Sequence, residues 1–126
     1  FRESQIEFFR TIGFRFTPAR IALLAVGAGV SEELLFRGVL QTWIESGMPL
    51  AWAIVLPNIL FGALHARTAL YAVIAGLVGI YMGVLFAISG NLLAPIIAHG
   101  LYDWIALLYT QRAIAARSTV APSGFE

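Results

Sequence analysis

Seven residues in three short stretches of this chain have the types and spacing that chemistry needs. Glu32, Glu33 and Arg37 lie in GVSEELLFRGVL, Phe61 and His65 in NILFGALHA, and His99 and Asp103 in APIIAHGLYDW. Glu33 and Arg37 are four apart, so on a helix they share a face in the favourable Glu-before-Arg order. Glu32 is turned by about 100° from Glu33, which pairs one carboxylate locally and leaves its neighbour without a local counter-ion. A carboxylate in that position is a candidate general base. Asp103, one turn after His99, is placed to fix the tautomer of that imidazole. His65 and His99 are the only histidines in the chain, and both lie in apolar segments, as the carboxylates do.

The elements that must carry these residues are apolar. Of the 126 residues, 60% are hydrophobic and 12% charged, against roughly 45–50% and about 25% in soluble domains. Long apolar stretches with few charges indicate membrane-spanning helices. A formal charge of +1 gives no basis for nucleic-acid binding, and the absence of cysteine removes disulfides, thiolate nucleophiles and cysteine-ligated metals. The chain opens on Phe1 rather than Met, so more chain, including upstream spans, is expected before it.

The expected architecture is all-α: a polytopic membrane bundle of about four transmembrane helices. Residues 1–17 read as an amphipathic interfacial segment, 18–116 as the four-helix core, and 117–126 as a flexible tail. Thr17-Pro18 is a helix start, with a capping hydroxyl and a proline at the first helical position. The first helix is expected to run from Pro18 to about Ile44, the second from Pro49 to about His65 with an interruption at Pro57. The third runs from Arg67-Thr68 to about Ile88, and the fourth to about Ala116, capped by Asn91 with a start that Pro95 delays. Ala75, Gly79 and Gly83 recur every four residues and read as a helix-packing face. Four spans put Arg2, Arg10, Arg15, Arg20, Arg67, Arg112 and Arg117 on one side, which the positive-inside rule makes the cytoplasm, with both termini there.

Inside such a membrane segment each charged side chain costs about 2.5–3.5 kcal/mol on insertion scales. Glu32, Glu33 and Arg37 must therefore face partners or water, and intramembrane ionisable residues are functional candidates by default. Asn58 is expected to satisfy a carbonyl freed by Pro57, and Tyr102 to pack.

On these three stretches the sequence resembles the CAAX protease and bacteriocin-processing family, also called the Abi or type II CAAX prenyl protease family. EELLFR matches its EExxxR motif, FGALH its FxxxH motif and HGLYD its HxxxN/D motif, over about Ile21 to Leu108. The resemblance implies a glutamate-dependent intramembrane endopeptidase in a bacterial-type plasma membrane. It implies catalytic roles for Glu32, His65, His99 and Asp103: Glu32 and His65 activate the attacking water, while His99 and Asp103 stabilise the oxyanion or orient the water. Glu33 and Arg37 would hold the polar face in place, and Phe61 completes the second motif.

The expected partners are the lipid bilayer and a membrane-associated peptide or protein substrate, with no cofactor. Zinc stays open as a second chemistry, because two histidines and a carboxylate are a workable ligand set, although HExxH is absent. No GxSxG or Ser facing a His supports a serine nucleophile. Two further readings are a non-catalytic structural or assembly subunit of a larger membrane complex, and a histidine as axial ligand of a haem or pigment.

Overall fold

Local capping chemistry sets three of the helix starts. Thr17 Oγ1 accepts a hydrogen bond from Arg20 N at 3.3 Å, with Pro18 at the first helical position. Thr68 Oγ1 accepts from Tyr71 N at 3.1 Å, and Asn91 Oδ1 from Leu93 N at 2.7 Å. Gly90 closes its helix in the left-handed conformation at φ 60°, which glycine adopts without steric cost.

The computed structural model describes residues 2–120, and all regular elements among them are helical. They are α1 (Arg2–Thr11), α2 (Pro18–Glu33), a π-helical segment (Leu34–Gln41), α3 (Thr42–Glu45), α4 (Leu50–Leu64), α5 (Ala69–Ser89) and α6 (Leu93–Val120). α2, the π segment and α3 follow without a break and form one rod. Three sequence expectations change. α4 runs through Pro57 without losing its helical assignment. Pro95 does not delay α6, which starts at Leu93. The tail expected over 117–126 is helical through Val120, and its remainder, 121–126, lies outside the described residues.

α2 packs most extensively against α6, and α4 against α5, with the π segment touching both α4 and α5. α2 and α6 cross at Gly29, where an added Cβ would sit 3.0 Å from Gly100 N and 3.1 Å from Ile96 O. Both are backbone atoms, so only the missing side chain permits this approach. α1 lies against the end of the bundle where α6 finishes and α4 connects to α5. There Glu3 pairs with Arg117, Arg67 donates to Gln5 Oε1, and the Arg67 guanidinium stacks over Phe8 at 4.0 Å. The arginines at 67 and 117 thus share one end of the molecule with α1.

A set of polar and charged groups is buried among apolar ones, and much of the exterior is greasy. Glu33, Arg37, Gln41, Asn58 and His99 are buried, while Leu23, Trp43, Ile59, Leu77, Ile88 and Ile105 are among many large apolar side chains on the outside. Among the described residues one helix, Ala69–Ser89, is long and apolar enough to cross a membrane, with mean hydropathy 2.2 over its most apolar window; Leu50–Leu64 is apolar but shorter.

Candidate active site

The polar face of the first rod is a row: Glu33, Arg37 and Gln41, each essentially inaccessible to solvent. In an α-helix a step of four residues drifts by about 40°. The i→i+5 bonding of a π-helix makes a wider turn, and the segment from Leu34 to Gln41 adopts it. From this segment Arg37 reaches α4 and α5, and Gln41 reaches α5. Arg37 Nη1 donates to Glu33 Oε1 at 3.0 Å; its Nη2 donates to Asn58 Oδ1 at 2.9 Å and to Gly79 O. Gln41 Nε2 donates to Gly83 O at 3.0 Å. The Ala75–Gly79–Gly83 face is thus more than a helix-packing stripe. Its glycines let side chains of the first rod reach helix carbonyls, and a Cβ on Gly83 would come within 2.9 Å of Gln41 Oε1.

One helical position before Glu33, the Glu32 side chain points to a different place. Its Oε2 lies 3.7 Å from His65 Nε2 and 3.7 Å from His99 Nε2, and 29% of the side chain is exposed. The expectation that Glu32 lacks a local counter-ion holds along its own helix, but α4 and α6 bring two imidazoles to it. His65 follows the last residue of α4. Its Nδ1 donates to Phe61 O at 2.8 Å, and its ring stacks on Phe61 at 4.2 Å with 29° between planes. The Nε2 side of His65 is thereby aimed at Glu32.

His99, on α6, is buried. Its Nδ1 sits 2.6 Å from Glu33 Oε1, while its Nε2 faces Glu32 and lies 3.4 Å from Asp103 Oδ2. Asp103 was expected to set the tautomer of His99; the shorter bond, from Glu33, has that role. Phe61 sits between these groups. It packs edge-on against Phe36 at 4.9 Å and His99 at 5.9 Å, with the Arg37 guanidinium 5.5 Å from its ring centre. All seven residues singled out in the sequence therefore converge, and Phe61 is their apolar floor.

Beside the cluster lies a cavity of about 230 Å³ whose lining includes His65 and Asp103 of the cluster, but not Glu32 or His99, together with Tyr71, Tyr102, Arg67 and, from α1, Gln5 and Phe9. Tyr102 was expected only to pack, and Tyr71 carries no motif signal. Gln41 was also missed, although its spacing of four from Arg37 would have placed it on the same face. Asn58 donates from Nδ2 to Ile54 O at 2.7 Å, the carbonyl next to the Ala53 O that Pro57 leaves without its amide. Its second role, as acceptor for Arg37, gave no local signal.

A family model and one relative match the chain in sequence. The family model described as type II CAAX prenyl endopeptidase Rce1-like matches residues 14–105, a range that holds all seven residues. The chain is similar to the uncharacterized protein YpbD of Bacillus subtilis (strain 168), at 33% identity over 86 residues, which are 66% of this chain and 41% of that protein. The chain thus spans well under half the length of that relative. No solved structure matches.

Proposed function

Because the chain belongs to the Rce1-like family of type II CAAX prenyl endopeptidases, we propose that it is an intramembrane endopeptidase in which Glu32 and His65 activate a water. The observation that carries this reading is the placement of Glu32 Oε2, a buried oxygen on a side chain that is 29% exposed, at 3.7 Å from both His65 Nε2 and His99 Nε2. That spacing is too long for a direct hydrogen bond, and the oxygen has no hydrogen-bond partner among the described residues, which leaves its lone pairs to take a proton from a water.

The chemistry needs no covalent intermediate. Glu32 takes a proton from the water as its oxygen attacks the peptide carbonyl. A His99 protonated on both nitrogens donates Nδ1–H to Glu33 and Nε2–H to the developing oxyanion, the kind of fixed donor that stabilises such charge. Asp103 steadies that nitrogen. Glu32 then returns its proton to the departing amine, which restores the starting carboxylate.

A bilayer setting explains why polar groups line the interior while leucine, isoleucine and tryptophan face outward: in lipid the outer face needs no polar cover. In this reading the rods built on α2, α4, α5 and α6 span the membrane with both termini in the cytoplasm, and the cavity receives a membrane-associated peptide. These steps route nothing through a metal.

The test is cleavage of a membrane peptide by the protein in micelles or liposomes. Glu32→Ala and His65→Ala should each abolish turnover, and chelators should leave it unchanged. Full activity in either variant removes the assigned roles, and loss to a chelator assigns the cluster to zinc. Stable co-purification with partners, and a function indifferent to Glu32→Gln, would make the chain a non-catalytic subunit.

A further inference from the structure

Asn58 belongs to none of the three motifs, yet it terminates the buried polar chain that begins at His99. From His99 Nδ1 the links run to Glu33 Oε1 at 2.6 Å, from that same oxygen to Arg37 Nη1 at 3.0 Å, and from Arg37 Nη2 to Asn58 Oδ1 at 2.9 Å. Asn58 is 1% exposed. Its amide nitrogen is held by Ile54 O at 2.7 Å, which fixes which way the amide faces and leaves its oxygen turned to Arg37. α5 is shaped around it. A Cβ on Gly79 would land on Asn58 Oδ1 and approach Arg37 Nη2 to 3.2 Å.

We infer that Asn58 is a positioning residue for His99, acting through Arg37 and Glu33. This rests on the hydrolase reading above for its effect on rate, though not for its effect on structure. Glu33 presents a single oxygen to two donors, and its other oxygen has no hydrogen-bond partner among the described residues. The position of that shared oxygen is therefore set by where Arg37 is held. Arg37 has two anchors outside its own helix, Asn58 Oδ1 and Gly79 O. The Asn58 anchor is the one a substitution can remove. Without it the guanidinium can swing, the shared oxygen moves, and the His99 ring loses the bond that orients it. An error of about 1 Å in a reacting group costs on the order of 100-fold in rate.

The experiment uses the whole protein in micelles, labelled with 15N-histidine; with only two histidines in the chain the spectrum is simple. In the wild type a short charge-assisted bond to Glu33 should place the His99 Nδ1 proton far downfield. In Asn58→Leu and Asn58→Ser, neither of which can offer Arg37 the amide oxygen, that resonance should move upfield or vanish. With helicity unchanged, kcat should fall about 10–100-fold while KM stays within about twofold, the signature of an interaction made in the transition state. Asn58→Asp keeps an oxygen for Arg37 and should restore the resonance. Should Asn58→Leu not fold, Asn58→Ser decides alone. An unmoved resonance in the folded variants overturns the inference, as does its loss in Asn58→Asp, which would trace the effect to the bond with Ile54. If the wild type cleaves no peptide, the hydrolase reading fails while the resonance still decides the role of Asn58.

Discussion

His99 is bound to Glu33, sixty-six residues earlier in the chain, more closely than to Asp103 on the next turn of its own helix. Its Nδ1 lies 2.6 Å from Glu33 Oε1, and its Nε2 lies 3.4 Å from Asp103 Oδ2. The two adjacent glutamates therefore do different work. Glu33 is sealed inside and ties α2 to α6, whereas Glu32 keeps 29% of its side chain accessible.

That division predicts opposite outcomes for the same substitution. Glu33→Gln leaves the buried Arg37 guanidinium without its counter-charge, a change that costs about 3–5 kcal/mol when one partner of a buried pair is removed. Glu32→Gln removes a partly exposed carboxylate and should change stability by less than about 1 kcal/mol. Thermal unfolding in detergent should show a large loss for the first and little for the second, while peptide cleavage falls in both. Equal melting temperatures would remove the structural role of Glu33.

Phe61 should matter through packing. Its ring touches Phe36, His65 and His99 at once, so Phe61→Ala opens a void beneath the site and should cost about 3–5 kcal/mol. Phe61→Leu refills most of that volume and should recover much of the stability. Cleavage should recover less, because a leucine cannot stack on the imidazole of His65. The check is paired melting and cleavage assays; full activity in Phe61→Leu would show that the stacking is dispensable.

What the sequence made legible is what local chemistry determines. Thr17-Pro18, Thr68 and Asn91 announce helix starts because a side-chain oxygen within three residues satisfies a free amide. The pairing of Glu33 with Arg37 follows from helical spacing alone. The partners across helices were not legible. Nothing near Asn58 or Gln41 says that Arg37 and Gly83 lie opposite them, and the π winding from Leu34 to Gln41 has no local cause in LLFRGVLQ. The side chains it carries, Arg37 and Gln41, reach carbonyls on α5 more than forty residues later. The preference of His99 for Glu33 over Asp103 is of the same kind, since spacing offers only the residue on the same helix.

The crossing of α2 and α6 is set by backbone proximity, and Gly29→Ala should disturb it. The added methyl would meet Gly100 N and Ile96 O, neither of which can rotate away. Overpacking of this kind costs about 1–3 kcal/mol. Gly27, where an added Cβ meets nothing within 4 Å, is the control on the same helix. Gly27→Ala should leave the melting temperature unchanged or raise it, since alanine is the better helix former. Similar melting of the two variants would show that the close approach at Gly29 is not needed.

Asp103 separates the two tasks that His99 could share with it. If Asp103 set the tautomer of His99, neutralising it would disable the imidazole. Glu33 already holds Nδ1 at 2.6 Å, however, and Asp103 stands 3.4 Å from Nε2 with a quarter of its side chain accessible. From the cavity wall beside Tyr102 it faces the other nitrogen, Nε2, and steadies that donor rather than setting the tautomer. Asp103→Asn keeps the shape and adds a donor for the oxyanion, so cleavage should persist at about the wild-type rate or above it. Asp103→Ala removes the group that steadies His99 Nε2 and should lower kcat by about 100-fold, the scale for a misplaced reacting group. The measurement is kcat for both variants on one peptide, beside the His99 Nδ1 proton resonance, which should stay in place in each. If Asp103→Asn is as inactive as Asp103→Ala and the resonance moves, the carboxylate charge itself orients His99, and Glu33 alone is not enough.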